Sequence, residues 1–306
     1  MKKQVLFVKR KLLILILLTS WLPAVASAET AFVDSIKKQE LVQIGKKEYE
    51  ARCAGCHGIE GNGNGPGAAM LDPKPRDFTK GVFKFKTVPL GGMPTNDDLL
   101  KTLNQGVIGT SMPSFALVSD SEKRAIIEYI KTFAPEAWKN QNAADVVPPL
   151  PVPKDVFNNK ARFLEYARMG RVWFQELGCI ACHGTSGHGD GPSAETLTDA
   201  WDKPIRPADL HKPFIKRGYT LQDVAYTIYQ GIDGTPMPSN ASILEGVEQK
   251  FPEVKEKRFI WELAAYVFYL RGEKAGIYNK EIPPIPENRI PPEEVKAAVG
   301  KYFETP

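Results

Sequence analysis

The distribution of apolar and polar positions along the chain predicts a protein built from helices. The predicted helices begin near residues 37, 95, 119, 160, 220 and 258. Thr95 and Ser119 each precede an acidic residue by three positions, which is the pattern of a capping box at a helix N-terminus. Thr220 opens a helix that Gly231 ends. The fold class we predict is therefore all-α.

Glycine- and proline-rich stretches separate these helices and predict irregular connections. Residues 58–67 carry five glycines and one proline, a composition that is costly inside a regular element and therefore predicts a loop. Residues 70–94 contain four prolines and little periodicity. Residues 141–155 contain four more prolines and predict a semi-rigid extended spacer.

The chain repeats itself at a fixed interval. Cys53 and Cys179 are 126 residues apart, whereas Met112 and Met237 are 125 apart, with similar surroundings in each case. Insertions between the copies fall in predicted loops, where they are tolerated. We therefore predict two tandem helical domains. The predicted boundaries are residues 29–140 and 156–275 for the domains, 141–155 for the linker and 276–306 for a Pro-rich C-terminal tail.

All four cysteines lie in two C-x-x-C-H motifs, the sequence of covalent c-type haem attachment. Two thiols three residues apart lie on one face of a helical turn, from which both can bond to one porphyrin edge. The histidine that follows becomes the proximal iron ligand. A redox dithiol lacks its βαβ context here, and a zinc site lacks two further ligands in the same half. The motif residues are Cys53, Cys56 and His57, and then Cys179, Cys182 and His183.

Met112 and Met237 are the predicted sixth iron ligands. Each precedes a proline and follows its motif histidine by about 55 residues, and a thioether is a soft ligand suited to haem iron. Met93 also precedes a proline but has no counterpart in the second half. His188 and His211 offer bis-histidine ligation of the second haem, but the first half has no spare histidine, so we interpret both as loop residues.

Two further pairs of residues are candidates for the surroundings of the haem. A ligating histidine normally donates its second N–H to a carbonyl, and Pro66 and Pro192 each lie nine residues after a motif histidine. Arg76 and Arg206 lie in loops where haem propionates need a cationic partner. An ordinary surface position is an equal alternative for both arginines.

The first 28 residues have the form of a secretory signal peptide. Five basic residues precede an apolar run at 12–18, and an A-x-A cleavage site ends at Ala28. The apolar run is short for a membrane span, although an uncleaved anchor is the alternative. Cleavage leaves 35 basic against 36 acidic residues, so the formal charge of +4 becomes −1. We therefore expect a periplasmic protein with no nucleic-acid partner.

These motifs together resemble the class I c-type cytochromes. The resemblance covers roughly residues 37–135 and 160–272 and rests on the C-x-x-C-H motifs, the Gly–Pro loops, the Met–Pro segments and the closing helices with Tyr129 and Tyr266. Gly45 and Gly170 resemble the family's first-helix glycine, where the first and last helices cross closely. The resemblance implies two haem c groups, each enclosed by a small helical bundle, with Pro66 and Pro192 as acceptors for the histidines.

The function we expect is one-electron transfer by a periplasmic dihaem cytochrome c in a respiratory chain. Its partners are redox proteins, and membrane contact comes only through them or through an uncleaved signal anchor. One alternative is an electron-transfer subunit of a larger respiratory complex, with the Pro-rich segments wrapped round a neighbour. Another is a dihaem enzyme, peroxidase-like or thiosulfate-oxidising, which needs an exchangeable iron position. We predict no catalytic residues.

Overall fold

A computed structural model describes residues 34–139, 150, 152–153, 159–213, 215–218, 220–241, 258–274 and 282. Within these residues the regular structure is helical, with two isolated β-bridges and no strand, so the predicted all-α class is confirmed. The predicted signal peptide and most of the predicted linker and tail lie outside the described residues. In the part of the chain described, no helix has both the length and the apolar character needed to cross a membrane.

The described residues of the first half form five α-helices round one apolar cluster. They are α1 (34–52), α2 (Ala54–His57), α3 (Asn96–Gln105), α4 (Asp120–Lys131) and α5 (Pro135–Trp138). Both predicted capping boxes are confirmed, because Thr95 and Ser119 accept from the N–H of Asp98 and Glu122 at the starts of α3 and α4. Tyr49, Ile126 and Ile127 are almost fully buried at the centre of the cluster.

In the second half, the described residues repeat this arrangement with four α-helices. They are α6 (Lys160–Glu176), α7 (Ile180–His183), α8 (Leu221–Gln230) and α9 (Arg258–Lys274). Thr220 caps α8 as predicted and forms a capping box with Asp223. The core lies chiefly between α6 and α9 and includes Trp173, Tyr266 and Tyr269. Ile282 and Leu150 are also buried in it, and Ile282 donates its N–H to the Tyr269 hydroxyl at 2.9 Å.

Charged side chains join the two halves. Lys86, which is 3% exposed, is paired with Asp233, and its Nζ also donates to the Gly92 carbonyl at 2.6 Å. Lys101 Nζ lies 2.5 Å from a carboxylate oxygen of Asp223. The guanidinium of Arg217 donates to the Lys86 carbonyl at 2.5 Å. A buried lysine needs a partner charge, so removal of Asp233 would leave Lys86 as an uncompensated buried charge.

Candidate haem sites

The first C-x-x-C-H motif forms a single helical turn at the end of α1. The Cys53 carbonyl accepts from the N–H of Cys56 at 3.1 Å and from the N–H of His57 at 2.9 Å. Cys53 is the N-cap of α2, and Cys56 and His57 lie within that helix, so one turn holds all three residues as the spacing predicts. Cys53 is buried and Cys56 is exposed, and neither thiol is in a disulfide.

The second motif has the same backbone arrangement. The Cys179 carbonyl accepts from Cys182 at 3.3 Å and from His183 at 2.9 Å. Both of its cysteines are half-buried and free of disulfides. Burial raises the pKa of the Cys53 thiol to about 11 and that of the Cys179 thiol to about 12. Neither thiol therefore has the lowered pKa of a reactive redox cysteine.

The glycine-rich loop after each motif folds back onto its helical turn. Gly63 and Gly65 donate their N–H groups to the His57 and Cys56 carbonyls, at 2.9 and 3.1 Å. Gly189 and Gly191 do the same for His183 and Cys182, at the same distances. A Cβ on Gly65 would lie 2.5 Å from the Ala54 carbonyl oxygen, so only glycine permits this approach.

A backbone carbonyl orients each motif histidine through its ring Nδ1. His57 Nδ1 lies 3.0 Å from the Arg76 carbonyl oxygen, and His183 Nδ1 lies 3.1 Å from that of Ala208. The prediction that Pro66 and Pro192 supply these acceptors was wrong, because the later loops supply them instead. A carbonyl cannot donate, so Nδ1 carries the proton and Nε2 keeps its lone pair. Burial also lowers the pKa of both histidines, which favours the neutral ring that a metal requires.

Each predicted methionine ligand lies in a tight turn that is the same in both halves. The Met112 carbonyl accepts from Val107 at 3.1 Å, and its N–H donates to the Thr110 hydroxyl at 3.2 Å. The Met237 carbonyl accepts from Ile232 at 3.2 Å, and its N–H donates to Thr235, also at 3.2 Å. Met93, the alternative candidate for the iron ligand in the first half, is 7% exposed and belongs to the apolar core.

The two predicted arginines have different surroundings. The Arg76 guanidinium stacks on the Trp201 ring of the other half, 4.1 Å from its centroid, and burial lowers the pKa of Arg76 to about 10. Arg206 is exposed and forms an ion pair with Glu195. Arg76 is thus placed to meet a buried anion, and Arg206 already has a surface partner.

Buried donors near these loops fit a group with carboxylates. The indole nitrogens of Trp138 and Trp201 are buried and have no hydrogen-bond partner among the described residues. Buried indole N–H groups normally find an acceptor, which a haem propionate would supply. Lys84 adds a positive charge beside Arg76, and burial lowers the pKa of this amine to about 8. The donors, free thiols and oriented histidines together fit a covalent haem.

His188 and His211 lie together beside the loop whose Ala208 carbonyl faces His183. Their rings stack with centroids 4.1 Å apart, and His211 is three residues from Ala208, whose carbonyl faces His183 Nδ1. This Nδ1 faces a carbonyl, so it is not the ring nitrogen that would bind a metal.

Sequence reasoning missed Glu262, a fully buried carboxyl group on α9. Its oxygens accept from Trp173 Nε1 at 2.7 Å and from Arg258 Nε at 3.0 Å. The corresponding position at the other helix crossing is Ala125. The single acidic residue in the apolar pattern of 258–270 was the available signal.

Comparisons with known proteins agree with this arrangement. The profile of a family described as "Cytochrome C oxidase, cbb3-type, subunit III" matches residues 40–130. A chain of the reducing HAO-like protein complex of Kuenenia stuttgartiensis is similar in structure, with a TM-score of 0.63 and 32% sequence identity. This similarity covers 74% of the present chain and 95% of the Kuenenia chain. The comparison with curated proteins gave no match.

The chain belongs to the c-type cytochromes. Membership of this family implies a covalently bound haem c and a role in electron transfer.

Proposed function

We propose that the protein is a periplasmic dihaem cytochrome c that transfers electrons one at a time between redox partners. The single observation that carries the proposal is the duplicated site. Each half has a C-x-x-C-H turn, a carbonyl-bonded histidine and a threonine-braced methionine turn. Haem, when bound, supplies an iron that alternates between ferrous and ferric states.

The residues that would hold the haem divide into three groups. The thiols of Cys53 and Cys56, and those of Cys179 and Cys182, would form the thioether bonds. His57 and His183 would bind iron through Nε2, because their Nδ1 atoms face carbonyls. Met112 and Met237 would provide the opposite ligands. This His/Met pairing favours the reduced state and leaves no exchangeable position for a substrate.

The protein environment limits reorganisation during electron transfer. The Arg76 and Ala208 carbonyls hold the histidine rings in one orientation, and the hydroxyls of Thr110 and Thr235 hold the methionine turns. Arg76 also contacts Trp201, so the residue that orients His57 is in contact with the second half. This contact supports a fixed relation between the two proposed haem sites.

Periplasmic location is proposed from the first 28 residues, whose basic, apolar and A-x-A segments are typical of an exported protein. The attachment of haem through thioethers also uses all four cysteines, which leaves none for a disulfide. We therefore propose cleavage after Ala28.

A fixed subunit of a larger respiratory complex is the second candidate function. The similar Kuenenia chain comes from a protein complex, which favours this candidate. Size-exclusion chromatography of the native periplasmic protein separates the two candidates. A free carrier elutes at the size of the single chain, whereas a subunit co-elutes with another cytochrome or enzyme.

Replacement of each methionine tests the proposed ligation and the enzyme alternative together. In Met112→Ala and Met237→Ala, one ferric haem should lose the near-infrared band of methionine ligation, and its reduction potential should fall. Met70→Ala is the control, because this methionine is 87% exposed. Unchanged spectra in both ligand variants would contradict the assignment and favour a dihaem enzyme with an open iron.

A further inference from the structure

Two histidines and one aspartate of the second half converge from two loops. The Nδ1 atoms of His188 and His211 each lie 3.4 Å from Oδ1 of Asp209. A set of ligand atoms, one from each of the three side chains, lies within 4.8 Å of one another. The two imidazole rings are stacked, with an interplanar angle of 20°. The cluster lies outside the haem ligands identified above.

This spacing matches the separation of donor atoms round a small metal ion. Nitrogen and oxygen ligands at the usual zinc bond lengths of about 2.0–2.1 Å lie roughly 3.3–3.4 Å apart in a tetrahedron. His188 is exposed, with a side chain 51% accessible, and His211 is mostly buried at 11%. An ion would therefore have access from solvent, and three protein ligands would leave a position for water.

The first half shows that the loop does not need these histidines in order to fold. The equivalents of His188, Asp209 and His211 are Asn62, Asp77 and Thr79. Asp77 Oδ1 accepts from the Thr79 N–H at 2.9 Å, and Asp209 Oδ1 accepts from the His211 N–H at 3.0 Å. Phe78 and Leu210 likewise donate to Gly61 and Gly187, at 2.7 and 2.8 Å. The same turn thus forms with or without imidazoles.

We propose that His188, Asp209 and His211 form a binding site for a divalent transition metal of the zinc type. The donor set of two imidazoles and one carboxylate suits such ions and not the oxygen-preferring Mg²⁺ or Ca²⁺. The chain has four histidines, and His188 and His211 are the two that lie outside the haem motifs.

The site adjoins the backbone that orients a proposed iron ligand. Asp209 follows Ala208, whose carbonyl lies 3.1 Å from His183 Nδ1. A divalent cation here opposes the additional positive charge of a ferric haem, so its binding should raise the reduction potential of the second haem. This consequence rests on the proposed function, whereas metal binding itself does not.

Calorimetric titration of the untagged haem-loaded protein with Zn²⁺ tests the site. We expect one Zn²⁺ per chain, with binding weakened more than about 100-fold in the double variant His188→Asn/His211→Thr, since loss of even an outer-sphere partner costs 10–100-fold. This variant copies the residues of the first half, and an unchanged haem spectrum shows that it has folded. The converse variant, Asn62→His/Thr79→His, should bind a second Zn²⁺.

Three results separate the outcomes. Absence of Zn²⁺ binding to the wild type, or equal binding to the double variant, would overturn the metal site. Zn²⁺ binding that depends on both histidines supports it, whatever the haem content. If binding depends on them while the potential of the second haem does not move, the metal site stands and its link to His183 is refuted.

Discussion

Gly45 of α1 packs directly against the backbone of Ala125 in α4. A Cβ built on Gly45 would lie 2.0 Å from the Ala125 carbonyl oxygen. The same relation holds between Gly170 of α6 and Glu262 of α9, again at 2.0 Å. The two glycines therefore allow α1 to cross α4, and α6 to cross α9, at backbone contact. The crossings bring Tyr49 against Tyr129 of α4 and Phe174 against Tyr266 of α9.

Gly45→Ala and Gly170→Ala should each destabilise the half that contains the substitution. A methyl group at 2.0 Å from backbone forces the helices apart, so we expect a loss of about 3 kcal/mol, the upper part of the range for overpacking. The midpoint of chemical denaturation of the haem-loaded protein measures the effect.

Gly55→Ala is the matched control for these variants. Its Cβ would meet no atom within 4 Å, and the equivalent residue of the second half is already Ala181. Stability should therefore stay within about 0.5 kcal/mol of the wild type. A similar loss in all three variants would contradict the role of close helix crossing.

Asp233→Asn should weaken the contact between the halves. The substitution leaves the buried Lys86 ammonium without its counter-charge, which costs about 3 kcal/mol. We expect earlier thermal unfolding and faster proteolysis between the halves. Glu195→Gln is the control, because it removes the ion pair between Arg206 and Glu195. The side chains of these two residues are 67% and 71% exposed. Equal effects of the two substitutions would show that burial of Lys86 contributes nothing.

Glu262 should make the stability of the second half depend on pH. Burial raises its pKa from 4.5 to about 8, although Arg258 and Trp173 act in the opposite direction. The folded state therefore holds a proton that the unfolded chain releases above pH 4.5. The contribution of Glu262 to the free energy of unfolding is fully present below pH 4.5. It is lost as the pH rises towards 8. The free energy of unfolding, obtained from chemical denaturation across this range, should fall by on the order of 5 kcal/mol, or about 1.4 kcal/mol for each pKa unit.

Glu262→Gln should remove most of this slope, because the amide does not ionise. It also loses one hydrogen-bond acceptor, so its absolute stability differs at every pH and only the slope is informative. Glu40→Gln on the exposed face of α1 is the control and should keep the wild-type slope. A wild-type slope in Glu262→Gln would assign the pH dependence to another group.

Local sequence signals predicted the helices and their caps because the interacting residues are neighbours. Thr95 and Asp98 are three residues apart and specify one helix start by themselves. The acceptors for His57 and His183 were missed because they lie 19 and 25 residues away and are backbone atoms, which any residue type supplies. Lys86 and Asp233 are 147 residues apart, and no periodicity relates them.

The duplicated motifs were readable because the chemistry demands particular side chains at a fixed spacing. The differences between the two copies could not be predicted from the sequence, because each difference depends on the fold around it. Glu262 is the second-half equivalent of Ala125, because each of these residues lies where a helix crosses the glycine of its partner helix. Arg76 and Arg206 are both in loops, but the position equivalent to Arg76 is Ala208, and it is Arg76 that meets Trp201.

The haem-to-protein ratio tests the central claim most directly. Quantified as the pyridine haemochrome of the purified protein, it should be two per chain. Cys53→Ala/Cys56→Ala and Cys179→Ala/Cys182→Ala should each retain one, because each pair of thiols attaches one haem. A ratio of one in the wild type, abolished by one of the two double substitutions and unchanged by the other, would contradict the dihaem account.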